Sequence, residues 1–131
     1  MSQFESTAFL VVRGRCPCKK NRYRIVRNRR TGRPGTAKDA RTHEWEDSAF
    51  QQLRLQWKTT PTITTTCRVS LAVCYSGPRP DDINVAETVY DALQQAKVVA
   101  NDNLLDLWGE PAIGRVKVAR GREVVNIHLR W

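Results

Sequence analysis

The chain lacks any long apolar run and contains few histidines and cysteines. Its 131 residues are 40% hydrophobic and 27% charged, with two His and four Cys. Without a continuous apolar stretch of about 20 residues, there is no candidate for a membrane-spanning helix. The hydrophobic residues include four Trp, three Tyr and three Phe, which is typical of a folded globule. A chain of this length is expected to form one domain, residues 1–131, with a sizeable core.

The N-terminal segment also lacks the features of a secretory signal. The stretch MSQFESTAFLVVRGR carries an acid where a signal peptide carries basic residues, and its apolar run AFLVV is too short. Cys16 and Cys18 enclose a single proline, and neither His43 nor His128 lies at a spacing typical of a zinc finger. We therefore expect a cytoplasmic protein and favour reduced thiols over a zinc site.

Acidic residues are scarce in the first third of the chain, where basic residues are concentrated. The formal net charge is +9, and twelve of the 22 Lys and Arg lie between Arg13 and Arg41, against the single acid Asp39. Scattered basic residues are usually solvated surface. A run such as RYRIVRNRRTGR instead favours nucleic acid, because guanidinium groups neutralise phosphates and hydrogen-bond them in a fork. A membrane surface fits less well, because no amphipathic helix combines a basic face with bulky apolar residues.

The acids are concentrated between residues 81 and 110, which contain seven of the thirteen Asp and Glu. Asp81 and Asp82 lie at a predicted strand-to-helix turn, and Asp102 follows the end of the same helix. If packing brings them together, these carboxylates form a site for Mg²⁺, which can activate water for phosphodiester hydrolysis. The alternative is structural: Asn84 caps the helix with Glu87 in a capping box, and the two aspartates favour its positive end.

Hydrophobic periodicity predicts a mixture of strands and helices. Strands are expected at 7–15, 23–27 and 66–76, and a mobile basic loop at 28–41. A first helix is expected at 42–57, beginning at Thr42, and a second follows the acidic turn. The chain is expected to close with a hairpin, in which IGRVKVAR and REVVNIHLRW meet at Gly121.

The same patterns predict which side chains face the core. In the first helix these are Trp45, Ala49, Phe50, Leu53 and Trp57, and in the second they are Val85, Val89, Leu93 and Ala96. In the last strand, Val125, Ile127, Leu129 and Trp131 lie on one side, and Asn126, His128 and Arg130 lie on the other.

Three motifs, in order along the chain, resemble the RusA-type Holliday-junction endodeoxyribonucleases, which are small resolvases common in phages and prophages. The stretch CPCKKNRY, residues 16–23, resembles the loop P-P-S-x-N-R-Y that follows the first strand in that family. The turn DDIN, residues 81–84, is followed at the family's distance by D-A-L, residues 91–93. An acid after the helix corresponds to Asp102. Together the motifs span most of the chain.

This resemblance implies a two-layer α+β sandwich, in which a small mixed β-sheet packs against two main helices. It also implies a homodimer that cuts four-way junctions with Mg²⁺, for which Mn²⁺ substitutes. Asp81 takes the first acid position and Asp102 the third. Ile83 stands where the family has its second aspartate, so Asp82 is the candidate substitute. Glu87 stands where the family usually has a lysine, which Lys19 or Lys20 would replace.

We therefore predict a metal-dependent, structure-selective DNA endonuclease acting on Holliday junctions in a bacterial or phage-infected cell. The predicted catalytic and metal-binding residues are Asp81, Asp82 and Asp102. The predicted DNA-binding residues are Lys19, Lys20, Asn21, Arg22, Arg24, Arg29 and Arg30. The alternative is a non-catalytic basic module that binds branched or double-stranded nucleic acid.

Overall fold

The computed structural model describes residues 6–17, 23–27, 34–38 and 40–131, with the backbone alone for 23–27 and 34–38. The strands are β1 Thr7–Arg13, β2 Tyr23–Arg27, β3 Pro34–Lys38, β4 Cys67–Tyr75, β5 Leu105–Leu107, β6 Ile113–Lys117 and β7 Val124–Arg130. The helices are α1 Ala40–Trp57 and α2 Asp82–Gln95, and a single 3₁₀ turn spans Asp102–Leu104.

Strand β4 is the centre of a mixed five-stranded sheet. Strand β7 pairs antiparallel with one side of β4, and β1 pairs antiparallel with β7 to form the edge. On the other side of β4, β5 and β6 pair in parallel with its first and second halves. Strands β2 and β3 form a separate antiparallel pair. The predicted α+β class and the small mixed sheet with two helices are confirmed.

One face of the sheet forms the core with the two helices. Alternate side chains of the strands are buried on this face, because successive residues of a strand point to opposite sides. They include Leu10, Val12, Val69, Leu71, Val73, Val125, Ile127 and Leu129. The helices contribute Trp45, Ala49, Leu53, Trp57, Val85, Val89, Ala92 and Leu93 to the same cluster. The alternation predicted for the last strand and the apolar face predicted for the second helix are confirmed.

Two details predicted for the first helix are wrong. The helix begins at Ala40, before Thr42, which is buried within it. Phe50 is 42% exposed, whereas Trp45, Ala49 and Leu53 are buried. These three follow one another at intervals of four residues, and Phe50 lies about 100° around the helix from Ala49. Trp45, Ala49 and Leu53 therefore form the stripe that covers the sheet, and Phe50 lies outside it.

The prediction of a loop over 28–41 is wrong for the residues of this range that the structure describes. Pro34–Lys38 form β3, paired with β2 from Tyr23 opposite Lys38 to Arg27 opposite Pro34, and α1 then begins at Ala40. Residues 28–33 and 39 lie outside the described residues. The proline begins β3, which is a position that tolerates its missing N–H.

The predicted closing hairpin is also wrong, because β6 and β7 are not partners. Both pair with β4, on opposite sides: Val73 lies opposite Arg115 of β6 and opposite Val125 of β7. Both segments are strands, as predicted, but β4 lies between them. None of the helices in the described part of the chain is long and apolar enough to cross a membrane.

Candidate metal and nucleic-acid site

The acidic turn, residues 80–84, joins the end of β4 to the start of α2. Asp81 has extended backbone angles, and its Oδ1 accepts hydrogen bonds from the N–H groups of Ile83 at 3.0 Å and Asn84 at 3.2 Å. Asp81 is therefore the N-cap, and the predicted capping box of Asn84 and Glu87 is wrong. The reason is that α2 begins at Asp82, which places Asn84 within the first helical turn.

The cap orients the Asp81 carboxylate without using all of its capacity. An ionised carboxylate has two oxygens with about four lone-pair positions. The cap occupies Oδ1, so Oδ2 is the oxygen with which this exposed side chain can bind a cation. A ligand carboxylate held by hydrogen bonds is typical of metal sites, since the fixed orientation reduces the entropy lost on binding. Capping and metal binding are therefore compatible in Asp81.

Asp82 lies beside the cap and faces a guanidinium group from the sheet. Arg115 Nη1 lies 3.2 Å from Asp82 Oδ1. The Oδ1 atom is itself buried and has no aligned hydrogen bond in the described structure, so this contact is an ion pair held by charge. Arg115 also donates to the carbonyl oxygen of Pro80, which precedes the cap. The arginine thus ties β6 to the acidic turn.

Arg115 is the site residue that sequence reasoning missed. Its register opposite Val73 of β4 places it on the helix-covered face of the sheet. An arginine there needs an acidic or hydrogen-bonding partner, because an unpaired buried charge is costly. That signal is present in the alternation of Ile113, Arg115 and Lys117. Arg115 could not be connected with Asp82 from the sequence, because the predicted hairpin paired β6 with β7 and not with β4.

Asp102 lies at the opposite end of α2. Its backbone N–H donates to Gln94 Oε1 at 2.8 Å, and the Asn101 side chain caps the 3₁₀ turn that Asp102 begins. About 18 Å of helix separates Asp82 from Gln94, at 1.5 Å per residue. Since Mg²⁺ lies about 2.1 Å from its oxygen ligands, Asp102 does not share an ion with the acidic turn of the same chain.

The structure therefore places two of the three predicted acids side by side in the acidic turn and the third beyond the far end of α2. Within residues 6–17 and 40–131, whose side chains are described, no three His, Cys, Asp or Glu side chains form a group able to hold a metal. Behind the turn, Asn84 Nδ2 is buried and lacks a hydrogen-bond partner in the described structure. Such a donor is satisfied when a water or ligand oxygen reaches it.

The predicted DNA-binding residues fall mostly outside the described residues. Lys19, Lys20, Asn21, Arg22, Arg29 and Arg30 belong to this group. Arg24 lies on β2, where its backbone is opposite Ala37 of β3.

Burial raises the pKa values of Cys67 and Tyr90, which lie outside the acidic turn. Burial raises the pKa of the Cys67 thiol to about 11, so this free thiol is protonated at neutral pH and is a poor nucleophile. Burial, with a smaller contribution from the charge of Asp106, raises the pKa of Tyr90 to about 12. Neither group supplies a nucleophile at neutral pH.

What the site offers chemically is a pair of carboxylates beside a guanidinium group. The carboxylates can bind a hard cation, and the guanidinium can bind a phosphate oxygen.

In comparisons with known proteins, no family model and no curated sequence matches the chain.

Proposed function

We propose that this chain is a metal-dependent, structure-selective DNA endonuclease that cleaves four-way junctions. The observation that carries the proposal is the acidic turn, where Asp81 and Asp82 are adjacent and Arg115 lies 3.2 Å from Asp82. The two acids are adjacent at an exposed turn of a protein whose net charge is +9. Three sequence motifs that occur in the same order as in RusA-type resolvases support the same chemistry.

In the proposed mechanism, Asp81 Oδ2 and the half-exposed Asp82 carboxylate would hold Mg²⁺ or Mn²⁺. A metal held there would supply a water that ionises more readily and a positive charge beside the scissile phosphate. Arg115 has further N–H groups besides the one that contacts Asp82, and these can donate to a phosphate oxygen. The arginine would thereby orient Asp82 and bind the substrate, the role in which the family uses a lysine.

A homodimer completes the site by supplying Asp102 from the second copy. Within one chain, α2 separates Asp102 from the acidic turn. A two-fold dimer can place the 3₁₀ turn of one copy beside the acidic turn of the other. A four-way junction also presents two strands related by two-fold symmetry, so one dimer offers a pocket to each strand. The basic segments would hold the junction arms by neutralising phosphates in the bacterial or phage-infected cytoplasm.

The test separates binding from cleavage. A labelled four-way junction is incubated with the parent protein and with Asp81→Asn, Asp82→Asn and Asp102→Asn, in Mg²⁺ and in EDTA. We expect Asp81→Asn and Asp102→Asn to abolish cleavage. In EDTA they should bind the junction at least as tightly as the parent, because each removes a negative charge that faces phosphate. If Asp82 replaces the family's second aspartate, Asp82→Asn is equally inactive. Cleavage retained by folded Asp81→Asn and Asp102→Asn contradicts the assignment.

A second candidate function is a non-catalytic module that binds branched or double-stranded nucleic acid. It is favoured by the structural roles that Asp81 and Asp82 already have, as the helix cap and as the partner of Arg115. Under this alternative the protein binds the junction with an affinity that falls as the salt concentration rises, as the nuclease would. The junction then stays intact in Mg²⁺ and in Mn²⁺.

A further inference from the structure

The sheet face opposite the helices carries exposed aromatic and basic side chains. We call it the open face; it is formed by alternate residues of the strands, among them Phe9, Arg13, Arg68, Asp106, His128 and Arg130, and by Trp108, the residue after β5. Phe9 is 73% exposed and Trp108 is 41% exposed. Large aromatic rings in such positions contact solvent unless a ligand covers them.

The first aromatic feature is a stacked pair formed by Phe9 and His128. Their ring centroids lie 4.2 Å apart and the ring planes differ by 11°. The Thr7 hydroxyl lies 2.8 Å from His128 Nε2 and fixes the orientation of the imidazole. Burial, and then the charge of Arg130, lowers the pKa of His128, so the imidazole is neutral at neutral pH. Phe9 is the more exposed ring of this pair and presents most of its surface to solvent.

The second feature is Trp108, which lies beneath two guanidinium groups. The Arg68 and Arg130 guanidinium carbons lie 5.3 Å and 4.8 Å from the indole centroid. The backbone of Trp108 is anchored to β4, because its N–H donates to the Val69 carbonyl and its carbonyl accepts from the Ser70 hydroxyl. The backbone of Trp108 is thus fixed against β4, and both guanidinium groups lie over its indole.

The two features lie on one row across the sheet. Phe9 is opposite His128, and His128 is opposite Ser70, beyond which Trp108 continues the line of β5. Three strand spacings separate the ends of this row, or about 14 Å. Between them the side chains of β4, Ser70 and the exposed Ala72, are small. The row therefore has aromatic groups at both ends and a shallow floor between them.

We propose that the open face binds single-stranded DNA, with unpaired bases stacking on Phe9 and on Trp108 and phosphates contacting Arg68 and Arg130. Exposed aromatic rings beside arginines are the combination by which proteins bind unpaired bases without sequence preference. A second copy of the chain is a poorer occupant, because a two-fold contact through this face would gather six arginines, Arg13, Arg68 and Arg130 of each copy, against the two Asp106 carboxylates. The choice of DNA rests on the proposed function, whereas the stacking geometry does not.

The test measures binding of a fluorescent 15-nucleotide oligo(dT), without metal and in EDTA, so that it is independent of any cleavage. Phe9→Ala and Trp108→Ala should each weaken binding by between about fivefold and about a hundredfold, the range for losing one base–aromatic stack. The matched control is Phe50→Ala, which removes an aromatic ring that is 42% exposed on the helical layer. This control should bind as the parent does. Circular dichroism establishes that each variant is folded.

Further measurements decide which ligand binds the open face. Arg68→Gln should flatten the dependence of log affinity on log salt by about 0.7 for each phosphate that the protein no longer neutralises. Equal affinity of the parent, Phe9→Ala and Trp108→Ala for oligo(dT) would overturn the proposal. Dissociation of a parent dimer by Phe9→Ala, with unchanged oligonucleotide affinity, would assign the face to a second copy and overturn it too. Tighter binding of oligo(rU) than of oligo(dT) would overturn the assignment to DNA. Failure of junction cleavage leaves all of these outcomes unaffected.

Discussion

At the scale of single residues, Asp81 illustrates how one carboxylate can serve both folding and chemistry. Its Oδ1 satisfies two N–H groups at the start of α2, and its Oδ2 is the oxygen left for the cation of the proposed site. The two uses respond differently to substitution. Asparagine caps a helix about as well as aspartate but removes the charge that binds a cation, whereas alanine removes both.

We therefore expect Asp81→Ala to lower the free energy of unfolding by about 0.5 to 2 kcal/mol, and Asp81→Asn to lower it by a few tenths at most. Urea denaturation monitored by circular dichroism measures both changes. The exposed residue two positions further along gives a control, since Ile83→Ala keeps the cap and the charge. Equal stability of Asp81→Ala and the parent would show that the capping geometry is wrong.

His128 makes the stability of the fold depend on pH. Burial, and then the charge of Arg130, lowers its pKa in the folded state, so the unfolded chain binds the proton more tightly. The contribution of His128 is therefore fully present above the ordinary histidine pKa of about 6.5 and is lost as pH falls through and below it. His128→Phe keeps a ring beside Phe9 but cannot take up a proton.

The melting temperature of the parent should fall more than that of His128→Phe between pH 7.5 and pH 5.5. Differential scanning fluorimetry at matched ionic strength measures the difference. Parallel pH profiles for the two proteins would show that His128 is not coupled to folding.

At the scale of secondary-structure elements, local patterns predicted the elements better than their partners. The strand at Tyr23–Arg27 and the buried face of α2 follow from β-branched content and from helical spacing. Strand β3 was missed because its sequence, PGTAK, contains residues typical of turns, and only pairing with β2 makes it a strand. The pairing of β6 with β4 was missed because sequence alternation indicates a strand without indicating its neighbour.

Two side chains of α1 hydrogen-bond to the backbone at the edge of β1, which the sequence pattern did not predict. Gln52 of α1 exchanges two hydrogen bonds with the backbone of Arg13, and Gln56 does the same with Val11. Each side-chain amide thus takes the place of a residue on a neighbouring strand. An uncovered edge is a template for pairing with another chain, so these glutamines protect the protein against association through β1.

The double substitution Gln52→Ala with Gln56→Ala should increase association and aggregation of the protein. Four backbone groups of β1 lose their partners, each with a cost of about 1 kcal/mol, and they become free to bind another strand. Static light scattering during incubation at moderate temperature measures the effect. Gln51→Ala, at an exposed position of the same helix, is the matched control. Unchanged association of the double variant would contradict the protective role.

At the scale of the whole molecule, the sequence predicted where the acids lie but not how α2 separates them. Asp81 and Asp82 were expected at a strand-to-helix turn, and they are there. Asp102 lies beyond the far end of α2, since the helix is continuous from Asp82 to Gln95. Arg115 escaped prediction because its contact with Pro80 joins residues 35 apart in the chain. Long-range contacts of this kind depend on sheet topology.

If the second copy supplies Asp102, mixing two inactive variants should restore activity. A dimer with one Asp81→Asn chain and one Asp102→Asn chain contains one pocket with both native carboxylates and one with neither. The variants are denatured together, refolded and assayed for nicking of a junction, and light scattering confirms the dimer. Activity of the mixture together with inactivity of each variant alone is expected. An inactive mixed dimer would contradict the shared site.

The most direct test of the central claim uses the parent protein on a four-way junction and on a linear duplex with the same arm sequences. Both substrates are end-labelled and incubated in Mg²⁺, in Mn²⁺ and in EDTA, and the products are mapped on sequencing gels. We predict paired incisions at symmetry-related positions of the junction, which depend on the metal and are absent from the duplex and with Asp81→Asn. A junction that is bound but stays uncut in both metals would contradict the account.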